Sequence, residues 1–296
     1  MKAALLPDRG VVKVTGDTAR AFLNGLLTAD IDKVTPSQAA FAALLTPQGK
    51  IIVDCIVAQA PDEDGGGFFI DVPRALAKTL TDRLNFYKLR AKVLNEDLSE
   101  TLGVLAAWDG EGDSEYGLVY RDPRLPALGL RMMLPPHLVK EAAADLGATL
   151  TDTLDYDAHR IALGVPSGGT DFIYSDAFPH ETDMDQLGGV DFQKGCYVGQ
   201  EIVSRMEHRG TARTRIVGVN YDGAAPAVGV TVEAGGKEIG MFGSAANGKG
   251  IALLRLDRAG DALAAGHGLV AGGVPISLRK PEWARFAMPG EPKASS

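Results

Sequence analysis

The segment Lys194-Gly-Cys-Tyr-Val-Gly-Gln-Glu201 contains one of the chain's two cysteines and places it between two glycines. Gly195 and Gly199 allow backbone angles with positive φ or a close approach to a ligand, so the segment predicts a short polar turn held in one shape. Cys196 is expected at the tip of this turn, where the nearby Lys194 ammonium would favour the thiolate over the thiol. The pattern therefore indicates Cys196 as a functional thiolate and Lys194 as the residue that tunes it.

A buried, inert cysteine is the alternative interpretation of Cys196, because free cysteine is among the most buried residue types. Polar neighbours such as Lys194 and Gln200 argue against it, since such side chains are costly to bury without partners. Cys55 provides the contrast. It lies in the β-branched apolar run Ile51-Ile-Val-Asp-Cys-Ile-Val57, which predicts a buried strand with Cys55 in the core.

The composition is that of a soluble globular protein with two or three packed units. The chain has 296 residues, of which 45% are hydrophobic and 23% are charged. A chain of this length exceeds what one hydrophobic core comfortably serves. The net charge of -8 argues against broad nucleic-acid binding, because an acidic surface repels phosphate.

The two cysteines differ in setting and do not form a disulfide framework, which fits a reducing cytosol. They also cannot supply the four thiolates that an iron-sulfur cluster normally takes from one chain. Any cluster would therefore be shared with a partner, a second copy or small thiols. The chain shows no signal-peptide run and no stretch approaching a membrane span, so we expect a cytoplasmic location and no membrane partner.

The order of strand and helix patterns predicts the domain organisation. Strands and helices mix without a regular βαβ repeat over residues 1–211, which predicts an α+β region of largely antiparallel sheet, with roughly 38–100 as a subdomain. Short β-type runs separated by glycine turns predict a small C-terminal β-barrel at 212–286, and residues 287–296 are expected to form a loose tail. The polar segment 167–193 lacks periodicity and is expected to be a long functional loop.

The cysteine segment resembles the signature of the YgfZ-type folate-binding proteins, which are relatives of the glycine-cleavage aminomethyltransferase and serve iron-sulfur cluster assembly or repair. Similar segments extend over nearly the whole chain. They are residues 16–28, 45–50, 87–90, 122–124, 179–193 and 205–213.

The resemblance implies an aminomethyltransferase-like fold, with a folate-binding α+β body and a C-terminal β-barrel. It implies binding of tetrahydrofolate or a derivative, and support for the maturation of [4Fe-4S] enzymes, including radical enzymes that modify tRNA. Cys196 would then transiently ligate an iron-sulfur cluster shared with a carrier or client protein. Such a protein is expected to be an accessory factor rather than a turnover enzyme, without direct nucleic-acid binding.

The same resemblance implies a pterin-sized pocket beside the cysteine. The residues expected to bind or brace the folate are Gly195, Tyr197, Gly199, Gln200, Glu201, Glu181, Asp185 and Arg205. One carboxylate among Glu181, Asp185 and Glu201 is expected to accept the adjacent N–H and amino group of the pterin ring. Acidic residues in a long loop also serve simply to solvate it, and for each of these residues that interpretation stays open.

A group of potentially cationic residues follows the cysteine segment in this acidic chain. Its members are Arg205, His208, Arg209, Arg213 and Arg215. Guanidinium groups pair with carboxylates in fork geometry, so the group could hold the carboxylates of a folate tail. It could equally contact an acidic partner surface, or form scattered ion pairs of little energetic value.

Other classes of site stay open on sequence alone. A cysteine hydrolase would use Cys196 as nucleophile and His180 or His208 as base, since such partners need only be close in space. An aminomethyltransferase-like one-carbon enzyme is the alternative within the folate class, but the aspartate pair that the transferase resemblance implies is interrupted here, where Val53 precedes Asp54. Metal-type ligands occur at 180–185, but no histidine or cysteine spacing supports a zinc site.

Overall fold

The computed structural model describes residues 1–210 and 212–291, and the chain divides into two compact units. The first unit comprises Met1–Tyr156 and Leu187–Glu201, and the second comprises Asp157–Gln186 and the described chain from Ile202 onward. Thr211 and residues 292–296, which include part of the predicted tail, lie outside the described residues. The predicted domain boundary at residue 212 and the predicted subdomain at 38–100 stay predictions.

The first unit contains two five-stranded sheets. Its strands are β1 (Lys2–Leu6), β2 (Arg9–Thr15), β3 (Ala40–Leu45), β4 (Ile51–Gln59), β5 (Phe68–Pro73), β6 (Leu94–Asp97), β7 (Gly103–Trp108), β8 (Leu118–Arg121), β9 (Leu130–Leu134) and β10 (Thr149–Leu150). The helices up to the start of the barrel are α1 (Ala19–Asn24), α2 (Arg74–Tyr87), α3 (Val139–Asp145), α4 (Thr153–Leu163) and α5 (Gln200–Arg209).

One sheet of the first unit has the strand order β3-β4-β5-β2-β6 and is antiparallel throughout. Strand β4 is an apolar, β-branched run that is buried along almost its whole length, as expected of a strand covered on both faces. Helix α2 packs Ala77, Leu80 and Leu84 into the core beneath it. Cys55 in β4 is completely buried, so its predicted place in the core is confirmed.

The other sheet of the first unit has the strand order β10-β1-β7-β9-β8, in which only the short β1–β10 pair is parallel. Ala142 of helix α3 and the following Leu146 pack against its core. The sequence did not indicate β1, because its five residues carry no alternating pattern and gain their place by pairing with β7.

A network of buried charged side chains links the two sheets of the first unit. Asp71 on β5 accepts hydrogen bonds from Arg9 on β2 (2.6 Å) and from Arg131 on β9 (2.5 Å). Arg131 also donates to Asp122 (2.8 Å), which pairs with Arg124 (2.9 Å). Burial alone would raise the pKa of Asp71 and Asp122, but the adjacent guanidinium groups outweigh it and hold the pKa of both carboxyls below the ordinary value.

The second unit contains a closed antiparallel barrel with the strand order β11-β14-β13-β12-β15-β16. Its elements are β11 (Thr214–Tyr221), β12 (Thr231–Ala234), β13 (Lys237–Ala246), β14 (Lys249–Arg255), α6 (Leu256–Ala264), β15 (Leu269–Ala271) and β16 (Val274–Arg279). Gly250 is required in β14, because a Cβ there would lie 2.8 Å from the ring of Phe242, which fills the barrel core.

The observed architecture confirms the predicted α+β class with largely antiparallel sheets and a C-terminal β-barrel. Between α4 and α5 the described chain contains neither a helix nor a named strand, as expected for 167–193. Helix α6 was not indicated, since the barrel region reads as a series of short strands. Among the described residues, no helix is both long enough and apolar enough to span a membrane.

Arg131→Met is expected to lower the free energy of unfolding by about 3–5 kcal/mol, because it leaves buried carboxylates without a counter-charge. Arg121→Met is the matched control, since its pair with Glu111 is exposed and worth little. Denaturant unfolding followed by circular dichroism measures both. Equal effects of the two substitutions would contradict a structural role for the network.

Candidate functional site

The cysteine segment lies in the first unit, immediately before helix α5. Cys196 is exposed, so the alternative of a buried, inert cysteine is excluded. The next two residues are directed inward: Tyr197 is only 6% exposed, and Val198 packs against the core. The side chain of Gln200 donates a hydrogen bond to the carbonyl of Gly195 (3.4 Å) and closes the turn. The turn therefore presents the thiol to solvent from an anchored backbone.

Lys194 anchors this turn to the end of helix α1. Its ammonium donates hydrogen bonds to three backbone carbonyls, those of Asn24 (2.7 Å), Leu27 (2.7 Å) and Ala29 (2.6 Å). Carbonyls after the last turn of a helix lack intrahelical partners and carry partial negative charge, so they favour a cation. Burial lowers the pKa of Lys194 to about 8. All three donors of Lys194 are engaged by carbonyls, so this side chain fixes the backbone that leads into Cys196, and its predicted effect on the thiol stays a prediction.

The chain that leads into the turn is also fixed by side-chain hydrogen bonds. The carboxylate of Asp191 accepts the backbone amides of Gln193 (2.8 Å) and Lys194 (3.0 Å). The hydroxyl of Thr28, just beyond α1, donates to the carbonyl of Gly189 (2.5 Å). The Asp191 bonds shape the chain just before the cysteine, and the Thr28 bond attaches the preceding residues to the segment after α1.

The two glycines of the segment have different structural roles. Gly199 has a φ of +82°, and a Cβ there would lie 2.5 Å from the carbonyl oxygen of Thr46. Only glycine fits this close approach to the β3–β4 turn. At Gly195 a Cβ would meet nothing within 4 Å, so no steric contact requires glycine at that position.

Tyr197 is held beside the Lys194 ammonium, which lies 5.3 Å from the ring centroid. Burial, followed by the negative charge of Asp191, raises the pKa of the Tyr197 phenol to about 12. The phenol is therefore a neutral hydrogen-bonding group at neutral pH. Glu201 lies in the exposed first turn of α5.

Three residues expected to bind folate, Glu181, Asp185 and Arg205, lie in the second unit. The carboxylate of Glu181 accepts the backbone amide of Phe178 (3.0 Å). Asp185 is held in a fork by Arg215, with nitrogen–oxygen distances of 2.6 and 2.9 Å. Arg205 is exposed on α5. The folate-binding roles of these three residues, and of the motif residues in the first unit, stay predictions.

Arg215, which the sequence placed in a cationic group, is the centre of a charged cluster in the second unit whose contacts the sequence did not predict. It donates to the carbonyl of His180 (2.7 Å) and to Asp183 (3.2 Å), in addition to Asp185. The imidazole of His180, in turn, lies 2.9 Å from a carboxylate oxygen of Glu207 on α5. Burial raises the pKa of Asp183 well above its ordinary value, although the positive charge of Arg215 opposes this. No spacing rule connects residues this far apart in the chain.

Comparisons with known proteins identify the family. Residues 213–286 match the family model of the CAF17 C-terminal beta-barrel domain. An iron-sulfur cluster assembly factor IBA57 homolog from Pyricularia oryzae is 33% identical over 282 residues, which cover 85% of this chain and 71% of that protein. The chain belongs to the IBA57 family.

Another member of the IBA57 family, from Mycosarcoma maydis, is 34% identical over 232 residues. The match covers 74% of this chain but only 57% of that protein, so the chain spans less than two thirds of this relative. The predicted relationship to iron-sulfur cluster assembly proteins is thereby confirmed at the level of the family.

A solved structure shares the fold of this IBA57 family member. The glycine cleavage system aminomethyltransferase T from Bartonella henselae has a TM-score of 0.74 and 15% sequence identity, and the match covers 96% of this chain and 86% of that one. The predicted aminomethyltransferase-like fold is confirmed.

The expectation of a cytoplasmic location is wrong, because both IBA57 relatives are named mitochondrial proteins. That expectation rested partly on unpaired cysteines. Free thiols indicate a reducing environment, but they do not distinguish one reducing compartment from another.

Cys196 is expected to react with iodoacetamide in the native protein, whereas Cys55 should react only after unfolding. Cys55 has no exposed surface, and burial raises the pKa of its thiol, so both access and thiolate formation are suppressed. Mass spectrometry of the alkylated peptides measures this. Equal labelling of the two cysteines in the folded protein would contradict the burial of β4.

Lys194→Met is expected to lower the free energy of unfolding by about 2–4 kcal/mol, because charge-assisted hydrogen bonds are lost and carbonyls are left without partners. Lys33→Met is the control, since Lys33 forms an exposed ion pair with Asp191 and should matter little. Denaturant unfolding reports the stability. Hydrogen exchange of the 191–200 amides should accelerate in Lys194→Met alone, and unchanged protection would contradict the anchoring role.

Proposed function

We propose that this chain supports the assembly or repair of iron-sulfur clusters in [4Fe-4S] enzymes, with Cys196 as the thiolate that contacts the cluster. The observation that carries the proposal is an exposed cysteine on an anchored turn, Cys196 beside Lys194. A metal-binding or exchange-active thiol must be accessible, and a fixed backbone directs it at its target. Membership of the IBA57 family supports the same role.

The cluster would be cargo shared with a second protein. Cys55 is sealed in the core, so one chain offers a single accessible thiolate, whereas clusters are commonly held by four. The remaining ligands must come from an iron-sulfur carrier or client protein, from a second copy or from small thiols. Transfer is easier from a site that holds the cluster by one bond than from a closed cage.

Tetrahydrofolate or a derivative is the proposed ligand. The resemblance to YgfZ-type proteins and the fold shared with an aminomethyltransferase both support it. In the first unit, the proposed folate-binding residues are those of the turn itself, from Gly195 to Glu201. Tyr197 would contribute a neutral phenol, consistent with its raised pKa. Radical enzymes that modify tRNA are proposed among the clients.

A folate-dependent one-carbon enzyme is the second candidate, and the shared aminomethyltransferase fold favours it. Against it stands Val53, which is completely buried in β4 where the resemblance to the transferase implies the first aspartate of a pair. Turnover of an aminomethyl donor with tetrahydrofolate, unaffected by Cys196→Ala, would support this candidate over the first.

Cys196→Ser is expected to retain tetrahydrofolate binding but to lose support of [4Fe-4S] enzymes in cells that lack the native protein. Serine preserves size and hydrogen bonding but is not a thiolate ligand at neutral pH. Calorimetric titration measures the first property, and the activity of a [4Fe-4S] enzyme measures the second. Cys55→Ala, which also removes one thiol, is the control and should restore enzyme activity.

Full restoration by Cys196→Ser would contradict the thiolate role. Absence of calorimetric binding by the native protein would remove tetrahydrofolate as the ligand, and it would leave the thiolate role to be decided by the enzyme assay.

A further inference from the structure

His180, Asp185 and Glu207 form a compact set of ligand-type side chains in the second unit, apart from the cysteine turn. One imidazole nitrogen of His180 and one carboxylate oxygen from each of the two acids all lie within 4.8 Å of one another. Ligand atoms that share one zinc-sized ion at about 2.0–2.2 Å lie about 3–4 Å apart, so only a small contraction is needed. We propose that these three residues form a binding site for a divalent first-row transition metal, with zinc or iron(II) as the matching ions.

The set is fixed before any ion arrives. His180 is only 1% exposed, and its ring nitrogen already lies 2.9 Å from the Glu207 oxygen. Asp185 is held by two hydrogen bonds from Arg215. Oδ2 of Asp185 also accepts a hydrogen bond from the side chain of Gln186 (2.7 Å), whereas Oδ1 accepts from Arg215 and keeps a second lone-pair position for an ion. Arg215 therefore orients a ligand in the way that outer-shell partners of metal sites do.

An entrance to the site exists on the side of Glu207. A cavity of about 540 Å³ is lined by His180, Glu207 and Arg215. The side chain of Glu207 is 45% exposed, whereas that of Asp185 is 4% exposed. An ion entering through this cavity would keep positions open for water or a ligand, as catalytic and exchangeable metal sites do.

The charges around the site also suit a cation. Arg215 is bonded to Asp183 and Asp185, whereas Glu207 is bonded to the imidazole of His180. A cation placed between His180, Asp185 and Glu207 would therefore meet two carboxylates.

The mixture of ligands selects the class of ion. Imidazole nitrogen suits zinc, iron and other first-row transition metals, whereas magnesium and calcium prefer sites made only of oxygen. The site contains neither Cys196 nor any residue of the turn, so its occupancy does not depend on the proposed function.

The test is titration of the full-length Cys196→Ser protein with Zn²⁺ and Co²⁺, so that the exposed thiol does not compete. Saturable binding with a dissociation constant of about 1–100 µM is expected by calorimetry. Bound Co²⁺ should give the visible absorption of a low-coordinate site. Mg²⁺ should not compete.

Glu207→Gln removes one charged ligand and is expected to weaken Zn²⁺ binding by about 10-fold or more. Glu233→Gln is the matched control, because Glu233 is an exposed carboxylate of the barrel outside the set. The affinity of the Glu233→Gln protein for Zn²⁺ should be unchanged. His180→Gln should abolish the Co²⁺ absorption, with folding of each variant verified by circular dichroism. Absence of saturable binding, equal effects of the two glutamate substitutions, or equal binding of Mg²⁺ would overturn the proposal.

Discussion

Buried pairs of arginine and aspartate hold the two sheets of the first unit together. Asp71 extends from one sheet to Arg131 of the other, and Asp122 continues the chain of contacts. Removing a charge from water costs free energy, and only a partner of opposite charge in a well-defined geometry offsets that cost. Such a network adds little net stability compared with a well-packed apolar core, but it penalises any arrangement that separates a charge from its partner. The sheet that contains β3 and β4, whose connecting turn is approached by Gly199, thereby has a defined neighbour.

The same physical rule positions the cysteine turn by different means. The Lys194 ammonium is withdrawn from water and satisfied by backbone carbonyls just after α1, whose positions are set by the fold. In the second unit, the Arg215 guanidinium is satisfied by two aspartates and a carbonyl. In both places a cation, half-buried at Lys194 and buried at Arg215, fixes a segment that has no regular secondary structure.

The sequence indicated much of this structure where the cause was local. The apolar β-branched run around Cys55 predicted a buried strand, and the polar neighbours of Cys196 argued for its exposure. The hydrogen-bond partners of Lys194 are backbone carbonyls, which carry no mark in the sequence, so only the fold reveals its anchoring contacts. The pairing of Asp185 with Arg215 joins positions 30 residues apart, and only the fold brings them together. The folate-binding roles depend on a ligand, so neither pattern nor fold decides them.

Because Cys55 is completely buried in β4, the chain exposes one thiol to oxidants and other electrophiles. With Cys196 as the reactive sulfur, oxidation can join this chain to one other molecule but cannot build a longer covalent polymer. Hydrogen peroxide would meet a sulfur that lacks a resolving thiol in its own chain, so a sulfenic acid formed there must be reduced by an external thiol. If Cys196 is oxidised, its reduction depends on thiols outside the chain, because the packing of Cys55 in the core removes the second thiol from reach.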